Sequence, residues 1–201
     1  MAKWEVRRPD FSQGLVHLTK TRIKQEPFDW FAKERKPQSP PEITDSFTVL
    51  REILDSGQIY GSGNAGFIKG NRKAVCLSEV PLSSMHLFAG EQGRYSSYGI
   101  SLTKAAAFAA GGRPVIYLPD DEGLWIPDDQ RWRHVKYEHG NVDFTYEREW
   151  RIPGDLDLSK LPDFYVLVES DDEADALREL PSVSKLPIRG IFAMQHLRLV
   201  L

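Results

Sequence analysis

The sequence predicts a mixed, strand-rich α+β domain with short helices. Three observations carry that expectation: extended runs outnumber helical ones, no internal repeat is present, and the chain is the right size for one core. With 201 residues, 41% of them hydrophobic, a single domain spanning residues 1–201 is expected. Lysine and arginine total 26 against 29 acidic residues, for a formal net charge of -3. That balance does not announce a nucleic-acid footprint.

The elements follow in order. LVHLTK, from Leu15 to Lys20, is a short strand on which His17 points away from Val16 and Leu18. KERKPQSPPEITDS, residues 33–46, carries three prolines and reads as a flexible loop within the domain. FTVLREILDSGQI places Phe47, Leu50, Ile53 and Leu54 on one helical face, with Ser46 or Asp45 capping its start and Gly57 ending it. YGSGNAGFIKGN is a glycine-rich surface loop without either phosphate-cradling frame. KAVCLSEV is a strand, and PLSSMHLFAG is irregular or briefly helical.

Residues 94–119, RYSSYGISLTKAAAFAAGGRPVIYLP, read as strand, short helix, strand. Tyr98 to Leu102 is extended, Thr103 caps alanine-rich turns, Gly111 and Gly112 stop them, and VIYL is short enough for a central strand. DDEGLWIPDDQRWRHV reads as a long loop. FTYEREWRI then reads as a strand with Phe144, Tyr146, Arg148 and Trp150 on one face and Thr145, Glu147, Glu149 and Arg151 on the other. A turn-rich link, a strand from Phe164 to Val168, an acidic helix over SDDEADALREL and a last strand around IFAMQHLRLV complete the chain.

Composition removes several chemistries. Cys76 is the only cysteine, so no internal disulfide can form and no cysteine-built zinc site exists. Five histidines without HExxH spacing give no expectation of a metal. No apolar run approaches the roughly 20 residues that span a bilayer, and MAKWEVRRPDF is not an apolar signal segment. A soluble, cytoplasmic protein with no membrane partner is expected.

The polar residues of interest are His17, Arg94, Tyr95, Tyr98, Ser101, Thr103, Glu147 and Glu149. Paired glutamates suit glycosidic or general acid/base chemistry. A solvent-washed strand face fits the same alternation. A serine hydrolase has no GxSxG elbow to support it.

The order LVHLTK, a helix ending in glycine, VCLSEVPL, YGISLTKAAAFAAGGRPVIYL and a late EREWRI resembles the abortive-infection AbiGi-like and DUF2971-like groups of small bacterial proteins. More distantly it resembles the ADP-ribosyltransferase-like fold, in the branch of the DarT toxins and the poly(ADP-ribose) polymerases. The resemblance covers residues 16–168 through short motifs. It implies NAD as the ligand and a His-Tyr-Glu set at His17, Tyr98 and Glu149, with Tyr95 as the other choice of tyrosine. The histidine would hold the ribose or diphosphate side of NAD, the tyrosine would stack on nicotinamide, and Glu149 would grip the nicotinamide ribose. Glu147 would serve the acceptor nucleophile; Ser101, and Arg94 as a phosphate contact, are added to the cofactor-binding candidates from residue type alone. Leu18 and Thr19 stand where the polymerases have a glycine after the histidine, and Glu147-Arg148-Glu149 imitates the two-acid motif of the arginine-first branch.

Two functions follow from that resemblance. One is an NAD-dependent ADP-ribosyltransferase, a toxin or phage-defence component that modifies a protein or nucleic acid. The other is a noncatalytic antitoxin or regulatory module on the same scaffold, acting through a toxin-antitoxin partner.

Overall fold

Two sheets meet along β1, and their junction positions the site. The computed structural model describes residues 12–24, 42–64, 67–82, 84 and 96–199. In chain order they form β1 (Gly14–Leu18), β2 (Arg22–Lys24), β3 (Glu42–Thr44), α1 (Ser46–Ser56), β4 (Gln58–Ile59), β5 (Ala74–Leu77), β6 (Gly99–Thr103), α2 (Lys104–Ala109), β7 (Arg113–Pro114) and β8 (Ile116–Leu118). Then come β9 (His134–Lys136), β10 (Trp150–Pro153), β11 (Leu156–Asp157), β12 (Phe164–Val168), α3 (Asp171–Arg178) and β13 (Ile188–Ala193), with short 3-10 turns between them. This is a mixed α+β domain with several short helices and several sheets.

One sheet runs β1-β6-β12-β13, with only the β12–β13 pair parallel, and the other runs β5-β10-β7. Val16 and Ser78 exchange backbone hydrogen bonds of 2.9 and 2.8 Å, which ties the edge of the first sheet to the end of β5. Small ladders join β2 to β3, β4 to β11 and β8 to β9.

One apolar cluster spans both sheets. Leu15, Ile100, Leu102, Phe164, Val166 and Val168 from the first sheet pack with Val75, Leu77 and Ile152 from the second, and with Val49, Leu50, Ile53 and Leu54 of α1. α1 starts where the Asp45 carboxylate accepts from the backbone N–H of Phe47 and Thr48 at 3.0 and 2.9 Å, and ends at Gly57 with φ 66°. The hydrogen bonds from Thr48 hold the Asp45 carboxyl below its usual pKa.

Alternation on β1 follows the sequence. Leu15 enters the main cluster, Val16 and Leu18 join a separate cluster with Leu167 and Met194, and His17 shares the face of Leu15. β6 approaches β1 so closely at Gly99 that a Cβ there would lie 2.4 Å from the His17 carbonyl oxygen. Gly99→Ala is therefore expected to cost about 1–3 kcal/mol of stability, read as a lower urea midpoint at unchanged slope.

Several expectations are corrected. Of the loop at residues 33–46, residues 33–41 lie outside the described residues, Glu42–Thr44 pairs with β2, and Ser46 begins α1. VIYL is not a central strand, because β8 pairs with β9 alone. The long loop after it holds 3-10 turns at Glu122–Trp125 and Arg131–Arg133 and runs into β9. The last strand stops at Ala193 and turns into a 3-10 segment.

FTYEREWRI is not one strand. Asp143 accepts from the Thr145 N–H at 2.8 Å and from its hydroxyl at 2.6 Å, which starts a turn rather than an extended run. Thr145–Glu147 is 3-10, Arg148 is left-handed with φ 45°, and the strand begins only at Trp150. Glu147 and Glu149 consequently do not share a strand face.

Candidate functional site

The segment that precedes β10 is held by its backbone. The Glu147 carbonyl accepts from the Ser78 hydroxyl at 2.9 Å and from the Glu79 N–H at 3.2 Å. The Tyr117 hydroxyl accepts from the Glu149 N–H at 3.0 Å and donates to the Phe144 carbonyl at 3.2 Å. Burial, the largest influence on it, leaves the Tyr117 phenol pushed up to about 12. Glu147 is thereby held at the end of β5, beside β1, and Glu149 against β8.

Two adjoining hollows lie there, of about 760 Å³ and 620 Å³. Lys20, Phe67, Cys76, Glu147 and Glu149 border both. Lys69 and Arg151 line the larger, while His17 and Ser78 line the smaller. Glu147, Glu149 and His17 therefore border one cleft at the junction of the two sheets.

Glu149 is anchored by Arg151. The guanidinium Nε and Nη2 reach its two oxygens at 2.8 and 3.3 Å, with the two side chains only 10% and 4% exposed. Nη1 donates to the Trp132 and His134 carbonyls at 2.7 and 3.2 Å. Arg151 and Cys76 are direct cross-strand partners, so they share a face. The two neighbouring glutamates thus differ in role: Glu149 neutralises a buried arginine, and Glu147 stands where the chain turns.

The Cys76 thiol is pushed up to about 12, first by burial and then by the charge of Glu149. A thiol is nucleophilic as its thiolate. Cys76 is therefore expected to resist a disulfide reagent at pH 8 in the folded protein and to react within seconds once denatured, as followed by thionitrobenzoate absorbance.

His17 donates through Nδ1 to the Cys76 carbonyl at 2.9 Å, since a carbonyl only accepts. Burial lowers its pKa, and in the neutral ring Nε2 is then an acceptor. Only between the lowered folded value and the ordinary value of 6.5 does the unfolded state bind more protons than the folded one. This linkage makes stability rise with pH up to that value and level off above it.

The other expected site residues lie apart. Tyr98 does not line the cleft: its hydroxyl donates to Glu173 at 2.8 Å, its ring lies 5.5 Å from that of Phe47, and burial followed by Glu173 pushes its pKa well up. Ser101 pairs with Val16, which turns it to the sheet face opposite His17. Thr103 accepts from the Ala106 N–H at 3.1 Å as the cap of α2. Arg94 and Tyr95 lie outside the described residues.

Sequence reasoning missed Lys20, Phe67, Lys69, Cys76 and Arg151. Strand alternation placed Arg151 with Glu149, and the charges of that pair were the available signal. Nothing local marked Phe67, which sits in a loop that reads as surface. A further buried acid, Glu79, lies outside the cleft and binds Lys104 at 2.7 Å and the Trp150 indole N–H at 3.0 Å.

Among the described residues, no group of three or more His, Cys, Asp or Glu could hold a metal ion, and no helix is long and apolar enough to cross a membrane. No protein-family model, curated protein or solved structure matches the chain.

Proposed function

We propose that the protein is an NAD-dependent ADP-ribosyltransferase of the ADP-ribosyltransferase-like fold, acting on a protein or nucleic acid as a toxin or phage-defence component. The observation that carries this reading is that His17 of β1 and the neighbouring Glu147 and Glu149, from a segment far along the chain, border one hollow at the junction of the sheets. NAD is the substrate. The bond between nicotinamide and ribose breaks with its electron pair leaving on nicotinamide, and positive charge develops on the ribose. The Glu149 carboxylate, held by Arg151, stabilises that charge without having to reorganise. Neutral His17 accepts a hydrogen bond from a ribose hydroxyl through Nε2. Glu147 takes the proton of the acceptor nucleophile as that nucleophile bonds to the ribose carbon.

One set of observations favours a second reading, the noncatalytic antitoxin or regulatory module. Tyr98 is engaged with Glu173 away from the cleft, and both oxygens of Glu149 already meet Arg151.

Label transfer separates the two readings. Incubation with NAD labelled on its adenylate half and with cell lysate is expected to label a macromolecule, and removal of the label by protease or by nuclease identifies the acceptor class. Absence of label, together with a partner retained by wild type and by Glu147→Gln alike, would support the module.

A further inference from the structure

Phe67 is unusual in three independent ways. It is 89% exposed, its backbone is left-handed at φ 64°, and it borders both hollows of the cleft. A bulky non-glycine residue in that backbone region is a genuine outlier, and such strain gathers at ligand sites. Among the described residues the only other non-glycine with positive φ is Arg148, between the two cleft glutamates.

The loop is built to display this ring. Its neighbour Ile68 is buried against Trp132 and Ala74. The Phe67 N–H bonds the Asn64 carbonyl and the Ile68 N–H bonds the Gly63 carbonyl, each at 3.2 Å. A buried anchor at Ile68 holds the backbone of Phe67 beside both hollows and leaves its ring exposed. Lys20, an exposed cation, borders the same two hollows.

We propose that Phe67 and Lys20 form a binding subsite for a nucleotide: a planar heteroaromatic ring stacks on Phe67 while the attached phosphate meets Lys20. A flat apolar face suits a ring of any base, and an ammonium suits a phosphate. The proposal deepens the NAD reading and rests on it for the identity of the nucleotide.

The test is calorimetric titration of NAD, AMP and ribose 5-phosphate into wild type, Phe67→Gly, Phe67→Trp and Lys20→Ala. Phe67→Gly is expected to weaken NAD and AMP roughly ten-fold while leaving ribose 5-phosphate unchanged, and Phe67→Trp is expected to retain binding. Lys20→Ala is expected to weaken all three ligands. Because glycine accepts the left-handed backbone, the melting temperature of Phe67→Gly should not fall, so a loss of affinity cannot be a loss of fold. Equal affinity of NAD and AMP for wild type and Phe67→Gly would overturn the subsite, as would the absence of binding to wild type at millimolar ligand. Phe67-dependent binding without nicotinamide release keeps the subsite and removes the transferase reading. Nicotinamide release at an unchanged KM in Phe67→Gly does the reverse.

Discussion

Glu149→Ala is expected to lower stability by about 3–5 kcal/mol, or a fall in melting temperature on the order of 10 °C for a chain of this size. The cause is the arginine left behind. Arg151 is buried, and its Nε and Nη2 would lose both of their carboxylate partners. The remaining contacts, to the Trp132 and His134 carbonyls, do not offset a full charge. Glu149→Gln should cost less, because the amide oxygen still accepts one guanidinium N–H while the charge compensation is lost. Urea denaturation followed by circular dichroism gives both values, and a loss of under about 1 kcal/mol for Glu149→Ala would show that water or a rearranged side chain compensates the arginine.

Glu147→Gln is expected to separate transfer from hydrolysis. On the proposed reading, in which Glu147 is the base for the acceptor nucleophile, it is worth about 10²–10⁴-fold in rate. Transfer of ADP-ribose to lysate macromolecules should fall by that factor. Nicotinamide release in the absence of an acceptor should fall much less, since the proposed mechanism leaves ribose binding to Glu149 and His17. Glutamine keeps the shape of the side chain and leaves untouched the backbone carbonyl that binds Ser78 and Glu79. Equal loss of both activities would mean that Glu147 acts on the ribose, and loss of neither would remove it from the machinery.

The regular parts of this fold were legible because their signals are local. Asp45, Gly57 and the apolar face of Phe47, Leu50, Ile53 and Leu54 define α1 without tertiary information, and the alternation of LVHL set His17 on the correct face. FTYEREWRI misled because its period of two suits a strand, whereas the Asp143 turn and the left-handed Arg148 break the run before Trp150. Tyr98 was assigned to the nicotinamide through the resemblance, but its hydroxyl is taken by Glu173, 75 residues along the chain. Pairings at such separation have no local trace. The cleft shows both sides: the chemical types of His17, Glu147 and Glu149 were visible, while Phe67, Lys69 and Cys76 enter only through the meeting of loop and sheets.

Since Glu149 supports the fold as well as the proposed chemistry, loss of activity in Glu149→Ala alone would be ambiguous. The most direct measurement is nicotinamide release from NAD by purified wild type, Glu149→Gln and His17→Ala, each shown to be folded at the assay temperature, with and without cell lysate. Release by wild type that falls by at least about 10²-fold in folded Glu149→Gln is the expected result. No release by wild type under either condition, or undiminished release by folded Glu149→Gln, would contradict the assignment of this cleft as an NAD-consuming site.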